Sequence, residues 1–239
     1  MSDRVVAVVP AAGRGVRMGG STPKQFLLLG GVPLLVHSLR TLASIDAIAE
    51  IIVVIPESDL AYCREEVIHR FAIEKVTQVV PGGVRRQDSV RHGVYAINEP
   101  PELVLVHDGV RPFITKDIAE QSILVARETG GALVAIPMKD TVKRVDQQGR
   151  VEATLNREEL WSAQTPQVFR YSWLLEAHRQ AETRQWDVTD DAGLVEQLGH
   201  PVTVVPGSVQ NIKITKPEDL ILGESILSSL QTRRGRQDT

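Results

Sequence analysis

Cysteine is all but missing: the chain of 239 residues has one, Cys63. A single thiol excludes an internal disulfide framework and a cysteine-rich zinc site. Aromatic residues are only 4% of the chain. No apolar run approaches the roughly 20 residues of a membrane-spanning helix, and the first, residues 5–9, is too short for a signal-peptide core. A dominant charge is lacking too, since 27 basic and 30 acidic residues leave a net charge of −3. No field of one sign therefore announces a nucleic-acid partner or a membrane surface. Internal repeats and low-complexity tracts are also absent. What remains is ample for a buried core, with 42% apolar residues. The expectation is a soluble, cytoplasmic, globular protein.

The apolar residues fall into two alternating kinds of segment. Short β-branched runs occupy 5–9, 51–55, 76–80, 103–107, 132–136 and 202–205. Such continuous runs suit strands covered on both faces, as in a parallel sheet. Between them lie stretches of helical period at 33–42, 60–71, 88–97, 116–128 and 217–230. Leu60, Cys63, Val67, Ile68 and Phe71, for example, recur at three- and four-residue steps. Thr115 ahead of Lys116 and Asp117 is a candidate N-cap. The alternation predicts an α/β, Rossmann-like fold: a predominantly parallel sheet with helices on both faces.

One segment departs from the alternation. Residues 138–161 hold two alternating runs around Gln147-Gln148-Gly149, which predicts a β-hairpin. Without a place in the main sheet it would project as an arm. An isolated hairpin is marginal in water, so a second subunit is its expected support. The predicted organisation is a single domain over 1–230 with 138–161 as a dimerisation arm. The polar residues 231–239 are expected to be a flexible tail.

The clearest chemical signal follows the first run. It reads Pro10-Ala11-Ala12-Gly13-Arg14-Gly15-Val16-Arg17-Met18-Gly19-Gly20, then Pro23-Lys24-Gln25-Phe26. Ala11, Ala12, Gly13 and Gly15 let backbone N–H groups come close to an anion. Arg14, Arg17 and Lys24 bring cations to the same loop. At the carboxyl end of a strand, this predicts a cradle for a polyphosphate. Gly13, Gly15 and Gly19 miss the G-x-G-x-x-G spacing, and no Gly-Lys-Ser/Thr triplet completes a Walker A loop. The plainer reading, a glycine loop with solvated arginines, leaves three cations after a buried strand to coincidence.

This loop resembles the signature of sugar-nucleotide pyrophosphorylases and cytidylyltransferases. Further motifs are Gly82-Gly83 with Arg86 and Asp88-Ser89-Val90, His107-Asp108-Gly109-Val110-Arg111-Pro112, and Asp140-Thr141-Val142-Lys143. Trp161 with Thr165-Pro166-Gln167, and Asn211-Ile212-Lys213-Ile214-Thr215 with Pro217-Glu218-Asp219, complete the set. In order and spacing they resemble the 2-C-methyl-D-erythritol 4-phosphate cytidylyltransferase family over nearly the whole chain. Two departures stand out: Val84, where the family commonly has an acidic residue, and Gly109-Val110 in place of an Ala-Ala pair.

The resemblance implies transfer of a cytidylyl group from CTP to 2-C-methyl-D-erythritol 4-phosphate in non-mevalonate isoprenoid synthesis. The products are 4-diphosphocytidyl-2-C-methyl-D-erythritol and pyrophosphate. A phosphomonoester is already largely ionised, so no general base is required, and the site must instead supply positive charge. The resemblance gives that role to Arg17 and Lys24, with Asp108 beside the metal and the acceptor. Ala11, Ala12, Gly13, Gly15 and Lys213 would line the nucleotide, with Gly82, Gly83 and Ser89 reading the base. Arg111, Thr141, Arg157, Thr165 and Lys213 would hold the acceptor, Arg157 reaching over from the other subunit of a homodimer. Mg²⁺ would be bound mainly through the CTP phosphates, with Asp108 as the candidate protein ligand.

Plainer roles compete for several of these residues. Asp108 could cap a turn or pair with Arg111, Arg157 could pair with Glu158 or Glu159, and His107 reads as a packed strand-end residue. Thr189-Asp190-Asp191 could be a helix cap or an outer acidic cluster, and the helix cap is the favoured reading. Rival functions are a cytidylyltransferase for another polyol phosphate, such as ribitol 5-phosphate, and a nucleotide-binding module without turnover. A dinucleotide oxidoreductase is disfavoured by the glycine spacing and by Ile55-Pro56-Glu57, which offers no acidic ribose ligand at the strand end.

Overall fold

The computed structural model describes residues 3–13 and 22–237. In chain order its strands and helices are β1 (Val5–Pro10), β2 (Leu28–Leu29), β3 (Val32–Pro33), α1 (Leu34–Ala43), β4 (Ile48–Ile55) and α2 (Leu60–Tyr62). Next come β5 (Val76–Pro81), α3 (Arg86–Tyr95), β6 (Leu103–Val106), α4 (Lys116–Thr129) and β7 (Gly131–Pro137). The arm holds β8 (Lys143–Val145) and β9 (Val151–Thr154). The chain closes with β10 (Trp161–Arg170), α5 (Tyr171–Arg184), α6 (Asp191–Gln197), β11 (Thr203–Pro206) and α7 (Pro217–Gln237).

Seven strands form one sheet in the order β11-β7-β10-β6-β1-β4-β5. All neighbours run parallel except β10, which is antiparallel to both β6 and β7. The continuous apolar runs serve both faces by simple alternation. Val5, Ala7 and Val9 face a core shared with α1, α2 and α4, while Val6 and Val8 face one shared with α3, α5 and α6. α7 packs over β2 around Leu29, Phe113 and Ile214. Thr115 caps α4 as expected, its hydroxyl accepting the Ile118 N–H.

Three features differ from the sequence reading. The helix expected over 60–71 widens after α2 into a π-helical stretch, Cys63–His69, though Cys63 and Val67 still enter the core. β10, α5 and α6 were not foreseen as elements. β10 carries Gln164, Thr165, Pro166 and Gln167, a poor pattern for a central strand. The sheet tolerates Pro166 because register shifts between Ala163 and Gln167, so the proline owes no ladder hydrogen bond there. Finally, α7 runs on to Gln237, into the segment expected to be an unstructured tail after residue 230. The hairpin is present, with β8 and β9 forming a separate two-stranded sheet.

Candidate active site

β1 and β6 are adjacent, and the loops leaving their carboxyl ends carry the site, at the point where strand order reverses about β1. After β1, Ala11 donates its N–H to the Val54 carbonyl at 2.7 Å and starts the Ala11-Ala12-Gly13 turn. A Cβ on Gly13 would lie 3.2 Å from Lys24 Cε, so the small residue lets that lysine draw close. Ala11, Ala12, Gly13, Lys24 and Ser89 line a cavity of about 120 Å³. It shares Ala12, Gly13, Gly83 and Val84 with a wider groove of about 900 Å³. Gly15 and Arg17, like Arg14, lie outside the described residues.

The Gly82-Gly83-Ser89 loop is closed by its own hydrogen bonds. The Gly82 N–H goes to the Ile55 carbonyl at 2.8 Å and the Gly83 N–H to Ser89 Oγ at 3.1 Å. Ser89 Oγ in turn donates to the Arg85 carbonyl at 3.1 Å. A Cβ at Gly82 would collide with Ala12, and one at Gly83 with Asp88. The glycines are thus demanded by packing. With those two N–H groups and the Ser89 hydroxyl hydrogen engaged internally, the two glycines and Ser89 are left with oxygen acceptors and shape to offer a base.

Asp108, the residue after His107 at the end of β6, is buried among three cations. Its Oδ1 accepts from Arg86 Nε at 2.9 Å. Its Oδ2 lies 2.9 Å from Lys213 Nζ and 3.5 Å from Arg111 Nε. Burial alone would raise its pKa, but Arg86, Lys213 and Arg111 outweigh it and hold the carboxylate well below its usual range. Arg86 reaches on to Asp191 at 2.9 Å, a buried carboxylate whose pKa burial pushes up against the pull of Arg86. Arg86 itself is held charged by the two acids despite its burial. The helix-cap reading of the acidic stretch holds for Asp190, whose Oδ1 accepts the Gly193 N–H at 3.1 Å; the acidic role falls to Asp191.

Across this cluster lies a second cavity, of about 240 Å³, lined by Arg111, Gln164, Thr165 and Asp190. Asp108, Arg86 and Lys213 line both cavities and form the wall between them. Arg111 is steadied by Nη1 donating to the Asn211 carbonyl at 2.8 Å. Burial lowers its pKa, partly offset by Asp108. Thr165 is turned toward the protein: its Oγ1 accepts the Asp108 N–H at 3.0 Å and lies 3.0 Å from His107 Nδ1. Its hydroxyl is thus engaged twice by protein at the edge of the second cavity. His107 is fully buried, and burial pushes its pKa down to about 4, in keeping with a packing role.

Thr141 and Arg157 are not brought to this cluster within one chain. Both are exposed and line neither cavity. Arg157 donates to the Lys139 carbonyl at 3.0 Å rather than pairing with Glu158 or Glu159. Sequence reasoning missed Arg86, Gln164, Asp191 and Asn211 as site residues. Arg86 stood in a quoted motif, but nothing in spacing alone announces an arginine shared by two buried acids. Among the described residues no group of three His, Cys, Asp or Glu could cage a metal. Asp108 faces cations on both oxygens, so the donor set fits a divalent ion that arrives on a polyphosphate.

A mostly parallel α/β sheet with a Gly/Ala loop and a cation cluster at the ends of adjacent strands defines a nucleotidyltransferase. The sequence profile described as IspD: 2-C-methyl-D-erythritol 4-phosphate cytidylyltransferase matches residues 5–229, and the chain belongs to this family. A protein of Syntrophus aciditrophicus bearing that enzyme's name is 46% identical over 233 residues, spanning 98% of this chain and 100% of its own. One from Geotalea uraniireducens, named likewise, is 48% identical over 233 residues, covering 97% and 100%. The crystal structure of 4-diphosphocytidyl-2C-methyl-D-erythritol synthase from Anaerococcus prevotii superposes with a TM-score of 0.84 at 32% identity, covering 94% of this chain and 96% of that one. The 2-C-methyl-D-erythritol 4-phosphate cytidylyltransferase of Thermus thermophilus gives 0.76 at 32% identity, over 93% and 98%. No helix of the described residues is long and apolar enough to cross a membrane.

Proposed function

We propose that this chain transfers the cytidylyl group of CTP to the phosphate of 2-C-methyl-D-erythritol 4-phosphate, releasing pyrophosphate, in the cytoplasm where CTP is made. One observation carries the reading beyond family membership: the wall of Asp108, Arg86 and Lys213 has a cavity on either side. A nucleotide in the first and an acceptor phosphate in the second would meet at that wall. The phosphate oxygen attacks the α-phosphorus as the bond to pyrophosphate breaks. The nucleophile arrives ionised, so the buried neutral His107 has no proton to take. Two anions approaching one another need preorganised positive charge. Lys24 and Lys213 supply it on the nucleotide side, with Arg17 of the same loop. Lys213 and Arg111 receive the acceptor phosphate, Arg111 in the forked geometry suited to it. Asp108 fixes Lys213 and Arg111 in register with each other. A divalent cation such as Mg²⁺, bound chiefly by the triphosphate, would add charge stabilisation at the transferring group.

The enzyme acts as a homodimer in this reading, a single domain per chain with 138–161 as the arm. Support comes from Thr141 and Arg157, which sit on that arm away from both cavities of their own chain. In a neighbour's acceptor cavity their hydroxyl and guanidinium would complete the phosphate site. The direct test is pyrophosphate release with CTP, ATP and GTP against a panel of polyol phosphates. CTP with methylerythritol phosphate should lead. Comparable turnover of ribitol 5-phosphate would move the acceptor assignment, and comparable turnover of ATP would remove any base selection by the 82–89 loop.

A further inference from the structure

We propose that Thr165 and His107 are a pair of positioning residues: they lock the turn bearing Asp108 and Arg111, and the Thr165 hydroxyl proton belongs to His107 rather than to a substrate phosphate. This rests on the reading of the second cavity as the acceptor site. His107 Nε2 lies 3.2 Å from the Arg111 carbonyl. A carbonyl only accepts, so Nε2 carries the proton and donates. The ring is fully buried and, among the described residues, neither nitrogen meets a carboxylate, so the ring holds its one proton on Nε2 and leaves Nδ1 a bare acceptor. Thr165 Oγ1, 3.0 Å away, therefore donates its hydrogen to Nδ1. The same oxygen accepts the Asp108 N–H at 3.0 Å.

The circuit closes on itself. The Arg111 N–H donates to the Asp108 carbonyl at 3.0 Å, so Thr165, His107, Arg111 and Asp108 form one ring of hydrogen bonds. Asn211 ties the ring to the guanidinium: its side-chain amide donates to the Thr165 carbonyl at 2.9 Å while its own backbone carbonyl accepts from Arg111 Nη1 at 2.8 Å. Asp108 and Arg111, which meet the acceptor, thus hang on one buried circuit. An ionised phosphate presents acceptors only, and Thr165 has no further hydrogen to offer it.

The tautomer is tested directly by ¹⁵N NMR of the imidazole in the intact wild-type protein, with and without inorganic phosphate. The Nε2–H form at neutral pH, unchanged by phosphate, is expected; an Nδ1–H form or an imidazolium would overturn the proposal. Kinetics supply the second arm. Thr165→Val should lower kcat/KM for the acceptor about 10- to 100-fold through misplaced groups, with KM for CTP little moved. Thr165→Ser should restore most of that loss, because it returns the hydroxyl. His107→Gln keeps a donor near Nε2 and deletes the Nδ1 acceptor, cutting the link that Thr165→Val cuts. The double variant should then be no worse than Thr165→Val alone. Multiplicative losses would give Thr165 a phosphate contact of its own and reject the pairing. Should the variants fail to fold, the wild-type tautomer decides alone. Should wild type turn over no polyol phosphate, the functional reading fails, while the tautomer still reports on the ring.

Discussion

Two regions carry the groups that this reading brings to the acceptor phosphate, and they are made in opposite ways. At the strand ends Arg111 and Lys213 converge on Asp108, with side-chain exposures of 12%, 35% and 7%. In the arm Thr141 and Arg157 are exposed, and among the described residues the hairpin strands beneath them pair only with each other. Val145 and Val151 on that hairpin are 52% and 61% exposed. The strand-end charges are oriented before any ligand arrives, which is what electrostatic catalysis requires. The arm offers reach instead, and it can be rigid only against something else. The difference teaches that, on this reading, one chain would hold a preorganised half of the site and present the other half outward.

The largest effect should come from the preorganised half. Lys24→Ala should lower kcat about 10²–10³-fold, the usual loss when a charge aimed at a transition state is removed. Raised KM for CTP with kcat intact would show that Lys24 only binds the ground state, and the strand-end region would lose its claim to the chemistry.

Buried histidines, one at the strand ends and one on α5, should set the pH dependence of stability. His107 and His178 are buried, and burial depresses their pKa values to about 4 and about 3. Both ring nitrogens of His178 are without hydrogen-bond partners among the described residues. Below the unfolded pKa of about 6.5, the unfolded chain takes up protons that the native rings refuse. Stability is therefore whole above pH 6.5 and falls as pH drops toward 4, by about 1.4 kcal/mol per pH unit for each histidine. Denaturant titrations across that range should show the slope, and His178→Leu should roughly halve it. A flat profile would mean that these rings are hydrated or already charged.

The same contrast decides what could be read from the sequence. Strands β1, β4, β6 and β7 were legible because each is an apolar run facing two cores at once, and the sheet's edge strands β5 and β11 because β-branched residues mark them although part of each is exposed. β10 was not, since its polar centre of Gln164, Thr165 and Gln167 answers to site and buried hydrogen bonds rather than to the sheet's pattern. Asp108, Lys213 and Lys24 were legible through motifs that carry charge at strand ends. The hydrogen bonds of Ser89 and Thr165 were not legible for a common physical reason: a hydroxyl's partners depend on which neighbour claims its one hydrogen, and that neighbour need not be near in sequence. Arg86 was hidden likewise, because two acids far apart in the chain, Asp108 and Asp191, give it its place.

A smaller effect tests whether the two regions belong to one site across subunits. Arg157→Ala and Lys24→Ala, each inactive alone, would be mixed in equal amounts and allowed to exchange. If Arg157 serves its own chain, every site carries a lesion and activity stays lost. If it crosses over, each mixed dimer gathers both lesions in one site and leaves the other intact. About half the dimers are then mixed, and activity should return to roughly a quarter of wild type. No recovery, once mass measurement confirms heterodimers, would reject the shared site.

The smallest effect should be on the stability of the arm's own chain. Val145 is half exposed, so Val145→Ser removes little buried area from a lone subunit, and unfolding measured at dilutions where subunits are apart should shift by less than about 0.5 kcal/mol. Val168, fully buried in β10, is the control; its change to serine should cost more than about 2 kcal/mol through a lost methyl and an unpaired hydroxyl. At concentrations where the dimer forms, Val145→Ser should nevertheless move the monomer–dimer midpoint upward, because the apolar face it breaks is the one left for a partner. A Val145→Ser chain as destabilised as Val168→Ser when dilute would place the arm against its own body. The contrast between a finished strand-end site and an outward-facing arm would then fail, and with it the reason for Arg157 to cross over.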